Sequence, residues 1–367
     1  MTTAPAPAPT RAPVVRAPQR LTAGHLPSWS PWALLVGTLA LSGAIFGVLG
    51  LASPDGFNVA AWIVTAVLAY LLLIYVISRV VEGARRALDR LITGIVTCAF
   101  AIAMVPLVSV AWTVVSNGIA RFDAQFFSWT MRGVLGEGGG ALHAIIGTVS
   151  ITLTATIISV PIGLMTAIYL IEYGQGKRLA RAITFLVDVM TGIPSIVAGL
   201  FAYALFALIF GPGVRMGFAG AIALSVLMIP VVVRSSEEML RLVPNELREA
   251  SYALGVPKWL TVVKVVLPTS IAGITTGVML AIARVIGETA PLLITAGFTD
   301  AMNYNLADGR MQTLPVFIYS QYAYKGIPPE AYVDRAWAAA LTLILIVMVL
   351  NLVARIVAKV FAPKFGR

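Results

Sequence analysis

Charge is scarce in this chain. Lys, Arg, Asp and Glu make up 11% of its 367 residues, against roughly 25% in ordinary soluble domains. So few charges cannot coat a water-soluble surface of this size. Cysteine is almost absent: Cys98 stands alone inside an apolar run, which excludes an internal disulfide. The two histidines, His25 and His143, are too far apart for zinc-ligand spacing, and His143 opens an apolar run, where an interfacial histidine is expected. A Walker A loop is also missing. Its G-x-x-x-x-G-K-[ST] pattern lets backbone N–H groups and a lysine hold phosphates. The nearest candidate, Gly176–Lys177, has Ile171 at the first glycine position and Arg178 after the lysine. The Gly138–Gly139–Gly140 run lacks a lysine and reads as a flexible loop. No H-E-x-x-H occurs, and no nucleophile sits with a base. The chain is therefore expected to hold no catalytic centre, cofactor or metal of its own.

What the chain has in abundance is apolar sequence: 59% hydrophobic residues and a mean hydropathy of +0.91. Eight apolar runs, near 32–52, 59–78, 91–116, 141–170, 183–211, 217–233, 268–297 and 336–358, are each long enough to cross about 30 Å of hydrocarbon. The sixth is the shortest. Residues 1–31 are rich in Pro, Ala and Arg and read as a disordered tail rather than a cleaved signal peptide. The first two runs form a hairpin (32–80) with no charge inside either span. Residues 362–367 form a short terminal tail.

The net charge of +10 raises the question of nucleic acid. The cations are dispersed in short stretches between apolar runs, which marks membrane orientation instead. With the N-terminus inside, nineteen Lys and Arg fall on the cytoplasmic side and six on the other, leaving Arg284 within a span. The asymmetry predicts a multi-pass protein of the cytoplasmic membrane, eight spans, both termini inside.

Residues 244–268 read PNELREASYALGVPKWLTVVKVVLP. Pro244 and Asn245 suit a helix start. Leu247, Ser251 and Leu254 recur at helical spacing. Gly255 suits a left-handed helix end and Pro257 the start of the next helix. On physical grounds alone this is a short helix, a tight turn and a second helix, equally readable as an amphipathic helix on the bilayer surface.

The same residues resemble the EAA motif of ABC importer permeases, E-A-A-x3-G-x9-I-x-L-P. Here the motif is Glu249, Ala250, Ser251, Gly255, Val265, Leu267 and Pro268, with Ser251 in place of Ala and Val265 in place of Ile. The resemblance implies that Glu249, Ala250, Ser251 and Gly255 belong to a coupling helix that docks on a separate nucleotide-binding subunit, which would carry the ATP and magnesium. Two further stretches, RVIGETAPLL at 284–293 and GIPSIVAGLF at 192–201, are similar to PstA-type permeases of phosphate importers. The resemblance covers residues 90–361 and omits the first two spans.

An all-α integral membrane protein follows: a type I ABC importer permease core of six spans preceded by two extra transmembrane helices. The implied partners are a PstC-like permease, a PstB-like ATPase dimer, a PstS-like extracytoplasmic phosphate-binding protein, phosphate and membrane lipid, with no nucleic acid.

Arg284 and Glu288 fall near the middle of the 268–297 run. An ionisable group there costs about 2.5–3.5 kcal/mol on insertion scales, so it faces protein or water. On a continuous helix their i, i+4 spacing predicts an ion pair. The rival roles are a structural pair and a polar patch on the substrate pathway, in which a guanidinium suits phosphate. Gly287 and Thr289 lie between and beside them. Pro291 is expected to free the carbonyl of Gly287, and Pro194 that of Met190, kinking a helix that carries Ser195, a further pathway candidate. Asp188 is expected to pair with Arg181, cap its helix, or face the pathway. Permeases of other oxyanions and secondary transporters are the alternatives; RVIGETAPLL argues against the first and the docking loop against the second.

Overall fold

The computed structural model describes residues 24–52 and 57–361, and every regular element among them is helical. The expected tail up to residue 23, the hairpin tip at 53–56 and residues 362–367 lie outside the described residues. The chain divides into two compact units, the first ending at Val110 and the second beginning at Ala111.

The first unit holds α1 (Ser30–Ala52), α2 (Val59–Val81) and the first part of α3 (Ala84–Gly118). Helices α1 and α2 pair as a hairpin. Trp62 lies against Gly43, and its indole N–H donates to the Leu39 carbonyl at 3.0 Å. That bond matters because a Trp N–H in an apolar setting needs a partner. Glu82, in the turn between α2 and α3, is buried and accepts four hydrogen bonds: from the Leu26 backbone (3.0 Å), from Ser78 (2.7 Å), and from Arg90 Nε (2.6 Å) and Nη2 (2.8 Å). The Arg90 guanidinium is the main reason its pKa falls from 4.5 to about 2. A depressed carboxylate pKa contributes stability that is complete above the unfolded value and lost as pH falls through the folded one. Glu82→Gln is therefore expected to lower stability at neutral pH by about 1.5–3 kcal/mol, the range for hydrogen bonds to a charged group. It should also remove that part of the wild-type loss seen between pH 4.5 and about 2. Thermal unfolding of the purified variant across that range is the measurement, and parallel curves for the two proteins would refute the assignment.

In the second unit, α3 ends in a single 3-10 turn (Ile119–Arg121) followed by the short α4 (Ala124–Ser128). Next come α5 (Leu142–Ile168, closed by a π turn to Tyr173), α6 (Arg178–Thr191), α7 (Ser195–Phe210) and α8 (Gly217–Arg241). Then follow α9 (Asn245–Ala253), α10 (Lys258–Thr261), a π turn over Val262–Val266, α11 (Leu267–Val285), α12 (Ala290–Thr295), α13 (Leu314–Ala323) and α14 (Pro329–Phe361). Packing centres on α8. Ile151 and Ala155 of α5, Leu224, Met228 and Val232 of α8, and Ala281 and Val285 of α11 form one buried cluster. Small residues bring the axes together: Gly163 faces Val232, Gly277 faces Ser235 and Gly273 faces Met239. Between helices in lipid, where hydrophobic burial gives little, such close contact is a main source of association.

Among the described residues, seven helices are long and apolar enough to cross a membrane, and α6 with α7 make an eighth candidate bent by 109°. The protein is multi-pass. The expected sixth span runs past its predicted end, to Arg241, because its last two turns carry charges that pair within the protein. The expected fifth and seventh spans are each broken. His143 also departs from expectation: it is buried inside the protein, with Nε2 3.1 Å from Gln312 Oε1 and its ring edge-on to Phe317.

Candidate functional site

The bundle has two ends. Segments 119–141, 211–216 and 298–328 gather at one; the turn after α5 and the loop carrying α9 lie at the other, because α5 and α8 run one way and α11 returns. At the second end, α9 begins after Pro244 and stops at Leu254. Gly255 takes φ +76°, its N–H donates to Tyr252 (2.9 Å), and Val256 N–H reaches back to Ser251 (3.2 Å). That is the left-handed helix end the sequence predicts. Pro257 then precedes α10. Ser251 is buried, 2.8 Å from Thr261 Oγ1, so this hydroxyl pair closes the elbow between the two arms. The Ser that departs from the motif's Ala thus has a partner. Glu249 and Ala250 face outward. Of the predicted Leu247–Ser251–Leu254 stripe only Ser251 is buried: Leu247 is 37% exposed, and Leu254, beyond the last helical residue Ala253, is 84% exposed, as is Trp259 to 61%.

Arg248 was not singled out by spacing, yet it anchors the loop. It donates to Glu172 Oε1 from Nε (3.0 Å) and Nη2 (2.9 Å), and to the carbonyls of Val243 (2.6 Å) and Leu240 (2.9 Å). Glu172 is buried in the π turn after α5. The one sequence signal was a carboxylate just past the apolar run ending at 170.

The other predicted residues lie where the seventh span breaks. Helix α11 stops at Val285, and α12 starts at Ala290. Arg284 therefore sits in the last turn of α11 and Glu288 in the break, so they do not share a continuous helix. No ion pair or hydrogen bond of either side chain occurs among the described residues, which overturns the expected pair. Arg284 and Gly287 are exposed; Glu288 and Thr289 are half-buried. A Cβ on Gly287 would meet nothing within 4 Å, so none of the described helices packs there. Pro291 lies in the first turn of α12, where a missing N–H costs nothing, so it opens a helix rather than kinking one.

The fifth span breaks for a related reason. The residue before a proline is pushed out of helical geometry, so Ile193 leaves the helix and α7 starts anew at Ser195. The Met190 carbonyl is not freed; it accepts from Ile193 N–H at 3.3 Å. Gly199 packs on Pro291, where an added Cβ would lie 2.6 Å from Cα. Gly199 lies in the second turn of α7 and Pro291 in the first turn of α12, so this contact brings together the helices that restart after the two breaks. Asp188 pairs with Arg234 of α8, not with Arg181. Arg234 also donates to Glu237 (2.8 Å), which accepts from Arg241 (3.3 Å), giving a chain of alternating charge between α6 and α8.

Comparison with known proteins agrees with these features. A family model described as "Binding-protein-dependent transport system inner membrane component" matches residues 159–367. The chain is 46% identical over 285 residues to phosphate transport system permease protein PstA 1 of Mycobacterium tuberculosis (strain ATCC 25618 / H37Rv), covering 77% of this chain and 91% of that protein. It is 40% identical over 247 residues to the PstA protein of Pasteurella multocida (strain Pm70), covering 67% and 86%. Among solved structures, an inward-facing MetNI methionine ABC transporter chain matches with a TM-score of 0.51 at 20% identity, covering 60% of this chain and 96% of that one. A chain of a bacterial alginate ABC transporter in complex with its periplasmic protein matches at 0.52 and 14%, covering 79% and 100%. These last two are likenesses of fold.

Proposed function

Because the chain belongs to the binding-protein-dependent transport inner membrane components, and within them to the PstA-type phosphate permeases, we propose that it is one permease subunit of an ATP-driven phosphate importer. It pairs with a PstC-like permease around a shared pathway. A PstB-like ATPase dimer, holding ATP and magnesium, docks one subunit on the α9 loop. A PstS-like binding protein delivers phosphate at the other end. ATP-driven closure of the ATPase pair draws the coupling helices together and opens the pathway outward; separation releases phosphate to the cytoplasm.

The observation that carries the substrate reading is Arg284. It is a guanidinium with no ion pair among the described residues, exposed at a break in an apolar span. A cation left unpaired at that depth is costly, and a pathway that pairs it with a passing anion supplies the compensation. Its fork of donors matches phosphate oxygens. Glu288, Gly287, Thr289 and Ser195 line the same region in this reading, with the Glu288 carboxylate keeping anion retention weak enough for release. The test is ATP-dependent phosphate uptake by the purified assembly in proteoliposomes, with sulfate as competitor. Uptake of sulfate in preference to phosphate would assign the chain to another oxyanion.

For coupling, Glu249 and Ala250 present the exposed face of α9, and Leu254 in the elbow and Trp259 of α10 an apolar flank beside it, to the ATPase. Gly255 has open space around it, so a substitution there acts through backbone conformation alone. Gly255→Val forces a β-branched residue to positive φ, at a cost of about 1–2 kcal/mol, and should distort the elbow. Membrane insertion is expected to persist while ATPase capture and uptake fall severalfold. Wild-type capture together with normal uptake would sink this account.

A further inference from the structure

The first unit contains a cavity of about 750 Å³ between the hairpin and the first part of α3. That volume falls within the range of about 300–1,000 Å³ usual for ligand sites. Two contacts frame it. Glu82 bonds Arg90 at the turn, and Gly94 of α3 meets Leu71 of α2, where an added Cβ would stand 2.6 Å from Cδ2. The lining changes character along its length. His25, Arg86 and Asp89 stand at one end; beyond them the walls include Leu35, Val67, Ile74 and Ala101.

The length of this lining fits one leaflet of a bilayer. On α3 the charges stop at Arg90 and the apolar run starts at Leu91. The helical rise from Leu91 to Ala101 is about 15 Å, half of a hydrocarbon core about 30 Å thick. Arg86 and Asp89 therefore fall at headgroup level and Ala101 near the midplane. Val67 lies fifteen residues before Glu82 on α2, so the facing wall reaches a similar depth.

The charges at the mouth are Glu82, Arg86, Asp89 and Arg90, which sum to zero. Glu82 and Arg90 neutralise each other. Arg86 and Asp89 are exposed and left over. Arg86 Nη1 reaches His25 Nδ1 at 3.4 Å, and neither Arg86 nor Asp89 has an ion pair among the described residues. Their i, i+3 spacing puts them on one face of α3, yet they do not bond each other. The mouth thus offers one cation and one anion above an apolar length.

This pattern selects among occupants. Inorganic phosphate would be repelled by Asp89 and would leave the apolar walls bare. An anionic lipid headgroup would satisfy Arg86 and meet the same repulsion. A zwitterionic headgroup satisfies both. Asp89 only accepts hydrogen bonds, so it suits an ammonium that carries N–H groups; a trimethylated one has none to give.

We propose that this cavity binds a phosphoethanolamine lipid of the membrane. Its phosphate meets Arg86, its ammonium meets Asp89, and an acyl chain fills the space down to Ala101. The chain supplies contacts that the walls of a void would forfeit, and so joins the hairpin to α3. The Glu82–Arg90 pair fixes the mouth beforehand, which lowers the entropy lost on binding. The proposal is independent of the transport reading.

The test uses the full-length protein purified in mild detergent and offered equal amounts of phosphatidylethanolamine, phosphatidylcholine and phosphatidylglycerol with the same acyl chains. Native mass spectrometry reads the lipid retained. Phosphatidylethanolamine should be kept roughly tenfold over the other two. Two variants address opposite ends of the site: Arg86→Gln/Asp89→Asn removes the headgroup partners, and Ala101→Trp fills the far end. Each should cut phosphatidylethanolamine retention roughly tenfold. Added phosphatidylethanolamine should raise the unfolding temperature of the wild type and of neither variant. Circular dichroism without lipid should show the same helix content in all three. Equal retention of the three lipids by the wild type marks an annular shell only and overturns the proposal. A preference for phosphatidylglycerol overturns it as well, as does retention within twofold of wild type in either variant. Cross-linking of Ala101→Cys to a copurifying protein chain, in place of lipid, also overturns it.

Discussion

Phosphate uptake by the Arg284→Gln protein is expected to fall by at least tenfold to a hundredfold, while the transporter assembles in normal amount. Hydrogen bonds to a charged group contribute about 1.5–3 kcal/mol each, and glutamine loses both the charge and the fork. Arg284→Lys keeps the charge without the planar pair of donors, so its loss should be smaller. The broken helix sharpens the test. Were Arg284 and Glu288 a structural pair, the exchange Arg284→Glu/Glu288→Arg would preserve it and restore uptake. Here the helix stops between them and they do not bond, so the exchange moves the cation from the end of α11 into the 286–289 segment. The exchanged protein should remain as defective as Arg284→Gln. Normal uptake by it, at normal expression, would refute a substrate role for Arg284.

The second large effect is expected at Arg248. Arg248→Ala leaves Glu172 buried without a counter-charge and takes a donor from the Val243 and Leu240 carbonyls. Breaking a buried pair by removing one partner costs about 3–5 kcal/mol. That is enough to release α9 from the body of the protein, so ATP hydrolysis should no longer drive uptake. Glu172→Gln on the Arg248→Ala background should recover part of the stability, because the stranded charge is gone, but not the coupling, because the carbonyl contacts are still missing. A double-mutant cycle on thermal unfolding measures the interaction directly. A coupling energy near zero would show that α9 is held by packing alone.

Both results bear on how far the residues could be read without the fold. Helical class, membrane residence and the elbow after α9 all rest on local properties. Hydropathy of a run decides whether it enters lipid, and Gly255 followed by Pro257 restricts where a helix can stop. The break at 192–194 was half legible: Pro194 signalled a disturbance, but its depth, a bend of 109° rather than a kink, was not. The stop after Val285 was legible only in part: Gly287 and Pro291 signalled a disturbance, but not that the helix ends at Val285 and restarts at Ala290.

The chain by itself determined that it is a multi-pass helical protein with an elbow-shaped loop and ionisable residues in an apolar run. Each of these follows from the free energy of a residue in its immediate neighbourhood: the transfer of side chains into lipid, the backbone freedom of glycine, the missing N–H of proline. Only the tertiary structure decided which charges meet. Arg248 finds Glu172 across 76 positions, Arg234 finds Asp188 across 46, and Arg335 reaches Gly136 across 199. It also decided that Gly199 packs on Pro291 and that Arg284 is left without Glu288. Partner choice over such separations depends on how helices stack, and no periodicity along the chain encodes it. For the buried charges the low-dielectric interior then turns each meeting into a strong constraint, because a charge or carbonyl shut away from water is costly unless something in the fold answers it.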